Sequence, residues 1–298
     1  MAFSPEYRAY PQQSATTSAA AMDAGLRAYM LRVYNWMASG LLLTGIVAYA
    51  ISSTSLMDAF YPMVRTASGR MAHSPTILAY AAMFAPLIFV LVLSFGVNKL
   101  STKAVQGIFW AFCATMGASM ASILLVYTGA SVARVFFITA ATFGATSIYG
   151  YTTKSDLSKM GSFMMMGLFG LIIASLVNVF MQSSALQFAI SLIGVVVFVG
   201  LTAWDTQRIK SDYVEYAYAE GTDGAAKRGV YDALSLYLNF INLFQMLLSL
   251  MGVRNNNCDG AIRSAMKNPE AVASGFFAGR RVRWRWRGPW WRMRRKTE

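Results

Sequence analysis

Charge is the first thing this chain is short of. Only 13% of its 298 residues are Asp, Glu, Lys or Arg, about half the share of roughly 25% found in a soluble domain. Histidine is scarcer still, with His73 alone in a loop close to Pro75. One histidine excludes an HExxH zinc metalloprotease and any other cluster of histidine ligands. It also leaves a serine in the apolar runs with no base to activate it. The two cysteines are Cys113, in an apolar run, and Cys258, in a basic segment. They offer no CxxC or Cys/His spacing for a metal and no disulfide framework. Lysine is missing from the last apolar run, residues 229–252, so no retinal Schiff base can form there. On this inventory the chain is expected to be neither an enzyme nor a metalloprotein, and no cofactor is expected.

What is present is apolar. Hydrophobic residues make up 56% of the chain, with 19 Met and 19 Phe, and the mean hydropathy is +0.44. The apolar residues gather into runs at 35–52, 77–96, 105–126, 133–151, 161–181, 186–204 and 229–252. Each is long enough to carry a helix across about 30 Å of hydrocarbon at about 1.5 Å per residue. The fold class expected is an all-α, multi-pass membrane protein. Residues 27–253 are expected to form its seven-helix membrane domain, between a disordered, solvated leader over 1–26 and a basic Trp/Arg-rich tail over 254–298. That leader is rich in Ser, Thr, Ala and Gln and lacks the apolar stretch of a signal peptide. Small residues three apart in the gap, Gly117 with Ala121 and Ala140 with Gly144, together with Gly161, Gly167 and Gly170, predict close helix packing.

The net charge of +13 resides mostly in the last segment. Residues 254–298 hold 12 Lys/Arg against 3 Asp/Glu, whereas residues 1–253 hold 14 against 10. The pI therefore gives no reason to expect nucleic acid as a partner. Basic residues ahead of the first run (Arg8, Arg27 and Arg32) and in the loops 97–104, 152–160 and 206–228 number eleven, against Arg65, Arg70 and Arg134 on the other side. The positive-inside rule then places the N-terminus in the cytoplasm. The tail conflicts with this. Either the seventh run crosses in spite of the rule, or it re-enters and leaves the tail inside, or the tail is an unusual addition. In it Arg280, Arg281, Arg283, Arg285 and Arg287 interleave with Trp284 and Trp286, a composition suited to an anionic lipid surface or to an extension without fixed structure.

The last run carries the polar residues that matter. Asp232, Ser235, Asn239 and Asn242 are spaced by three, four and three, which puts them on one face of a helix. Lipid offers no hydrogen bonds, so this stripe must face other helices or a wet cavity. Asp205 ends the sixth run in GLTAWDTQRIKSDY. It reads either as an interfacial acid meeting water or Arg208, or as a titratable gate facing the stripe. Tyr231-Asp232 matches half of an intramembrane aspartyl protease signature. The partner Gly-x-Gly-Asp is missing, because Asp205 sits in Leu-Thr-Ala-Trp-Asp.

The segments TAWDTQRIK (202–210) and ALSLYLNFINLF (233–244) resemble the closing signature of the transmembrane Bax inhibitor motif family, also called the Bax inhibitor-1 family. The run 136–180 resembles the fourth and fifth spans of its bacterial members, and the resemblance covers roughly residues 27–253. It implies seven helices with the last one central, and a calcium leak gated by pH through an acidic pair. Asp205 matches the first acid of that pair. The second position holds Asn239, an amide that can hydrogen-bond Asp205 but cannot share its proton. Asp232, Ser235 and Asn242 are then the other polar residues expected along the path. Lys99 and Lys103 are the candidates for the family's basic partner. Calcium is expected as the transported ion, and the lipid bilayer of a bacterial inner membrane as the surroundings. The resemblance leaves a second role open, that of a non-conducting regulator binding other membrane proteins such as a membrane-anchored protease.

Overall fold

The computed structural model describes residues 13–65, 71–96, 99–216 and 222–255. It is a helical bundle of α1 (Gln13–Ser53), the short α2 (Leu56–Phe60), α3 (Ile77–Gly96), α4 (Thr102–Val126), α5 (Gly129–Thr152), α6 (Ser158–Met181), α7 (Ser184–Tyr216) and α8 (Thr222–Met251). A small antiparallel hairpin, β1 (Met63–Arg65) with β2 (Met71–His73), links α2 to α3. Among the described residues, seven helices are long and apolar enough to cross a membrane. The tail's Arg/Trp run and Cys258 lie outside the described residues.

Local chemistry sets the helix ends. The Ser101 hydroxyl caps α4 by accepting from the Ala104 N–H, which satisfies one of the donors left open at a helix start. At the end of α6, Gln182 adopts a left-handed conformation at φ 50°. That conformation is costly for a residue with a Cβ. Two bonds hold it: the Gln182 N–H donates to the Asn178 carbonyl, and the Asn178 side chain accepts from the Ser183 N–H.

The core is built around α8, which packs against α1, α4, α5 and α7. Leu236, Tyr237 and Leu243 on α8 are fully buried, alongside Phe109 and Phe112 of α4 and Val33 of α1. Lipid gives no hydrophobic drive between helices, so close approach has to supply the attraction. A Cβ added at Gly150 would lie 2.2 Å from the Ala203 carbonyl oxygen, and one at Gly117 2.6 Å from that of Thr44. Backbones therefore touch at α5–α7 and α1–α4. Gly144 and Gly170 face open space instead, so smallness at those two sites serves no contact.

Two expectations need correction, and re-entry of the seventh run, one of the three alternatives left open, is set aside. Residues 13–26 were expected in an unstructured leader, yet α1 begins at Gln13. Its Ala-rich start favours helix, and Leu26, Tyr29 and Met30 continue the buried face. Residues 205–216 were expected in a loop, yet α7 runs on to Tyr216. Ile209 is fully buried and Tyr213 stacks on Tyr29 with ring centroids 4.9 Å apart. That packing keeps the polar segment helical. Finally, α8 is not re-entrant. Near its start the Tyr231 hydroxyl donates to the Leu93 carbonyl at the end of α3. At its far end, the Thr128 N–H donates to Val253 and the Asn255 N–H to Val126. Those contacts lie at opposite ends of α4, so α8 traverses the bundle.

Candidate functional site

Asp205 lies well inside α7, not at its end, and is only 4% exposed. A buried carboxylate is costly unless charge and hydrogen bonds compensate it. Here α8 supplies the hydrogen bonds. Oδ2 accepts from the Ser235 hydroxyl at 2.8 Å and from the Asn239 Nδ2 amide at 2.6 Å. Ser235 and Asn239 are one helical turn apart, so both reach one oxygen. The other oxygen, Oδ1, is 2.9 Å from Arg208 Nη2. That contact lacks the angle of a directed hydrogen bond, which leaves Oδ1 buried and held by charge alone. Arg208 sits one turn along α7, its guanidinium 5.0 Å from the centre of the Trp204 ring. A long 3.4 Å contact also joins it to the Ser235 hydroxyl.

The stripe on α8 divides between neighbours. Ser235 and Asn239 turn to α7, whereas Asp232, also buried, accepts from the Tyr29 hydroxyl of α1. The charged groups around Asp232 are Arg208, Asp212 and Arg228. Asn242 is half-buried and takes no part in the Asp205 cluster. The expected single polar path along Asp232, Ser235, Asn239 and Asn242 is thus two separate clusters. A helix face about one residue wide meets different helices as it rises through the bundle, which is why even spacing did not mean a common partner.

Lys99 and Lys103 are both exposed, and neither pairs with Asp205. Arg208 is the basic residue that pairs with Asp205, because a residue three along the same helix is already within reach. That spacing is visible in the sequence. Tyr29 carried no such signal, since it is 203 positions from Asp232. The same holds for the buried contact between the Thr44 and Tyr237 hydroxyls at 2.7 Å, which ties α1 to α8.

Beyond Arg208 a cleft of about 570 Å³ opens between α7 and the α5–α6 loop. Gln207 pins that loop by accepting from the Leu157 N–H and donating to the Ser155 carbonyl, both at 2.8 Å. Lys210 reaches the Tyr151 carbonyl at 2.9 Å. Arg208, Asp212 and Asp156 line the cleft. Hydrogen bonds from Ser158, side chain and backbone, hold the Asp156 carboxyl below the usual carboxylate range. Among the described residues, no group of three or more His, Cys, Asp or Glu is arranged to hold a metal ion.

The sequence of this bundle matches known proteins over nearly its whole extent. The family model described as "Inhibitor of apoptosis-promoting Bax1" matches residues 26–256. An uncharacterized protein of Rickettsia prowazekii is 48% identical over 235 residues, 78% of this chain and 93% of its own length. One from Caulobacter vibrioides is 46% identical over 231 residues, 78% of this chain and 90% of its own. The inner membrane protein YbhL of Escherichia coli K12 is 44% identical over 232 residues, 78% of this chain and 94% of its own. With a family match over residues 26–256 and, among the described residues, seven helices fit to cross a bilayer, the chain belongs to the Bax inhibitor-1 family and is a multi-pass membrane protein.

Proposed function

We propose that the protein is a pH-modulated cation leak of the inner membrane, with calcium as the transported ion and Asp205 as the proton sensor. The observation that supports this is Asp205 itself, a buried carboxylate joined to the central helix through Ser235 and Asn239. Intramembrane acids are rare and tend to mark ion or proton pathways. When charged, Asp205 draws the Arg208 guanidinium and two donors of α8 onto α7. Protonation removes the charge and occupies one oxygen, so the hold of α7 on α8 and on Arg208 weakens together. Asn239 cannot share the proton, so the pH response follows one group. A steeper, two-group profile would need a second acid at position 239. The inner-membrane location rests on the likeness to YbhL, and the loop charges support a cytoplasmic N-terminus.

A second reading is favoured by one observation, the exposure of α6. Only 6% of its membrane-crossing stretch is buried, so it presents a broad face on which another membrane protein could lie. On this reading the chain is a non-conducting regulator of a membrane-anchored protease or similar partner. Reconstitution into liposomes with calcium flux read against pH separates the two. A flux whose pH profile is lost in Asp205→Asn supports the leak. Flux absent from the wild type, with a stable partner retained in detergent extracts, supports the regulator.

A further inference from the structure

We infer that Arg208 is a tethered cation that occupies the carboxylate a transported cation must use, and that it is released into the cleft beside it. This deepens the leak reading and rests on it for what is transported. Asp205 has three partners, and they differ in how easily each can leave. Ser235 and Asn239 come from the packed central helix and hold Oδ2 by directed hydrogen bonds. Arg208 holds Oδ1 without one. Its side chain is 37% exposed, whereas that of Asp205 is 6% exposed. The flexible, half-exposed partner is the one that can move.

The cleft gives it somewhere to go. Arg208 already lines it, and so do two acids. Asp212 is four residues on along α7, the spacing at which an acid and a base meet on a helix. Asp156 stays ionised to lower pH than an ordinary carboxylate because Ser158 donates to it. Arg208 therefore has two resting places on one helix face, Asp205 three residues back and Asp212 four residues on. Moving between them exchanges one ion pair for another, so the guanidinium is never left without a counter-charge. In the first position Oδ1 is filled and a cation is excluded. In the second, Oδ1 is open to the cleft. Trp204 lies under the guanidinium in the first position and favours it by a cation–π contact.

The test is protection of Asp205 from a hydrophobic carbodiimide by calcium, in the full chain reconstituted in liposomes, with modification at Asp205 read by peptide mass spectrometry. Arg208→Gln should lower the calcium concentration that half-protects Asp205 by at least tenfold, and Arg208→Lys, which keeps the charge, should stay within threefold of wild type. A residue serving only as packing would not distinguish Lys from Gln in this way. Equal half-protecting concentrations in wild type and Arg208→Gln overturn the inference. If Arg208→Gln does not fold, the double variant Asp156→Asn/Asp212→Asn tests it from the other side. Without acids in the cleft the half-protecting concentration should rise at least threefold, and no rise overturns the inference. A wild type that shows the expected protection but passes no calcium would defeat the leak reading while leaving the role of Arg208 intact.

Discussion

Helices α6 and α8 are both long enough to cross a membrane, and they are opposites. The membrane-crossing stretch of α6 is more apolar yet only 6% buried, whereas that of α8 is less apolar and 56% buried. In water the order would be reversed. Here hydrocarbon outside is as good a solvent for Phe169 and Ile173 as the protein interior, so the apolar helix goes to the rim. Asn239, Asp232 and Ser235 can find hydrogen bonds only inside, so the polar helix goes to the centre. Between these two helices burial follows the need for polar partners, and α8 takes the centre with Asp232, Ser235 and Asn239 to satisfy.

Changes at inner contacts should therefore be felt and matching changes on α6 should not. The largest effect is expected at Gly150, whose added Cβ would press into the Ala203 carbonyl. Gly150→Val should destabilise the protein by about 3 kcal/mol, the upper range for overpacking, read as loss of folded protein in a thermal melt in detergent. Gly170→Val on α6, where nothing lies within 4 Å, should leave the melt unchanged. Asn239→Leu removes a donor from a buried carboxylate and should cost about 1–3 kcal/mol. Tyr237→Phe breaks the Thr44 contact and should cost about 1 kcal/mol, the ordinary worth of one hydrogen bond. The smallest effect concerns Asp156 at the cleft. Its carboxyl titrates below its unfolded value, so the stability it lends is present above the ordinary carboxylate range and is lost as pH falls through the lowered folded value. Ser158→Ala should move that titration upward, measurable by carboxyl-selective NMR.

Most of the fold was legible from run length alone, because a bilayer fixes how long an apolar helix must be. The boundaries that failed were those set by tertiary packing. The start of α1 and the last third of α7 are polar enough to read as loops. Leu26, Ile209 and the Tyr29–Tyr213 stack make them helix. The contact between Asp205 and Asn239 was legible through the resemblance. The parting of Asp232 from that cluster was not, because periodicity says which residues share a face and is silent on which helix the face meets. Arg208 was within sight in the sequence, three residues from Asp205. Its importance emerged only with the exposed Lys99 and Lys103 and with the cleft it lines.

The division of the α8 stripe into two clusters leads to the decisive comparison, calcium flux against pH in liposomes for Asp205→Asn beside Asp232→Asn. Each variant keeps the size of the side chain and its capacity to accept a hydrogen bond, and each removes one buried charge. Asp205→Asn should abolish the pH response, and Asp232→Asn, still able to accept from Tyr29, should retain it. A pH response that survives Asp205→Asn and vanishes in Asp232→Asn would contradict the role of Asp205 as proton sensor.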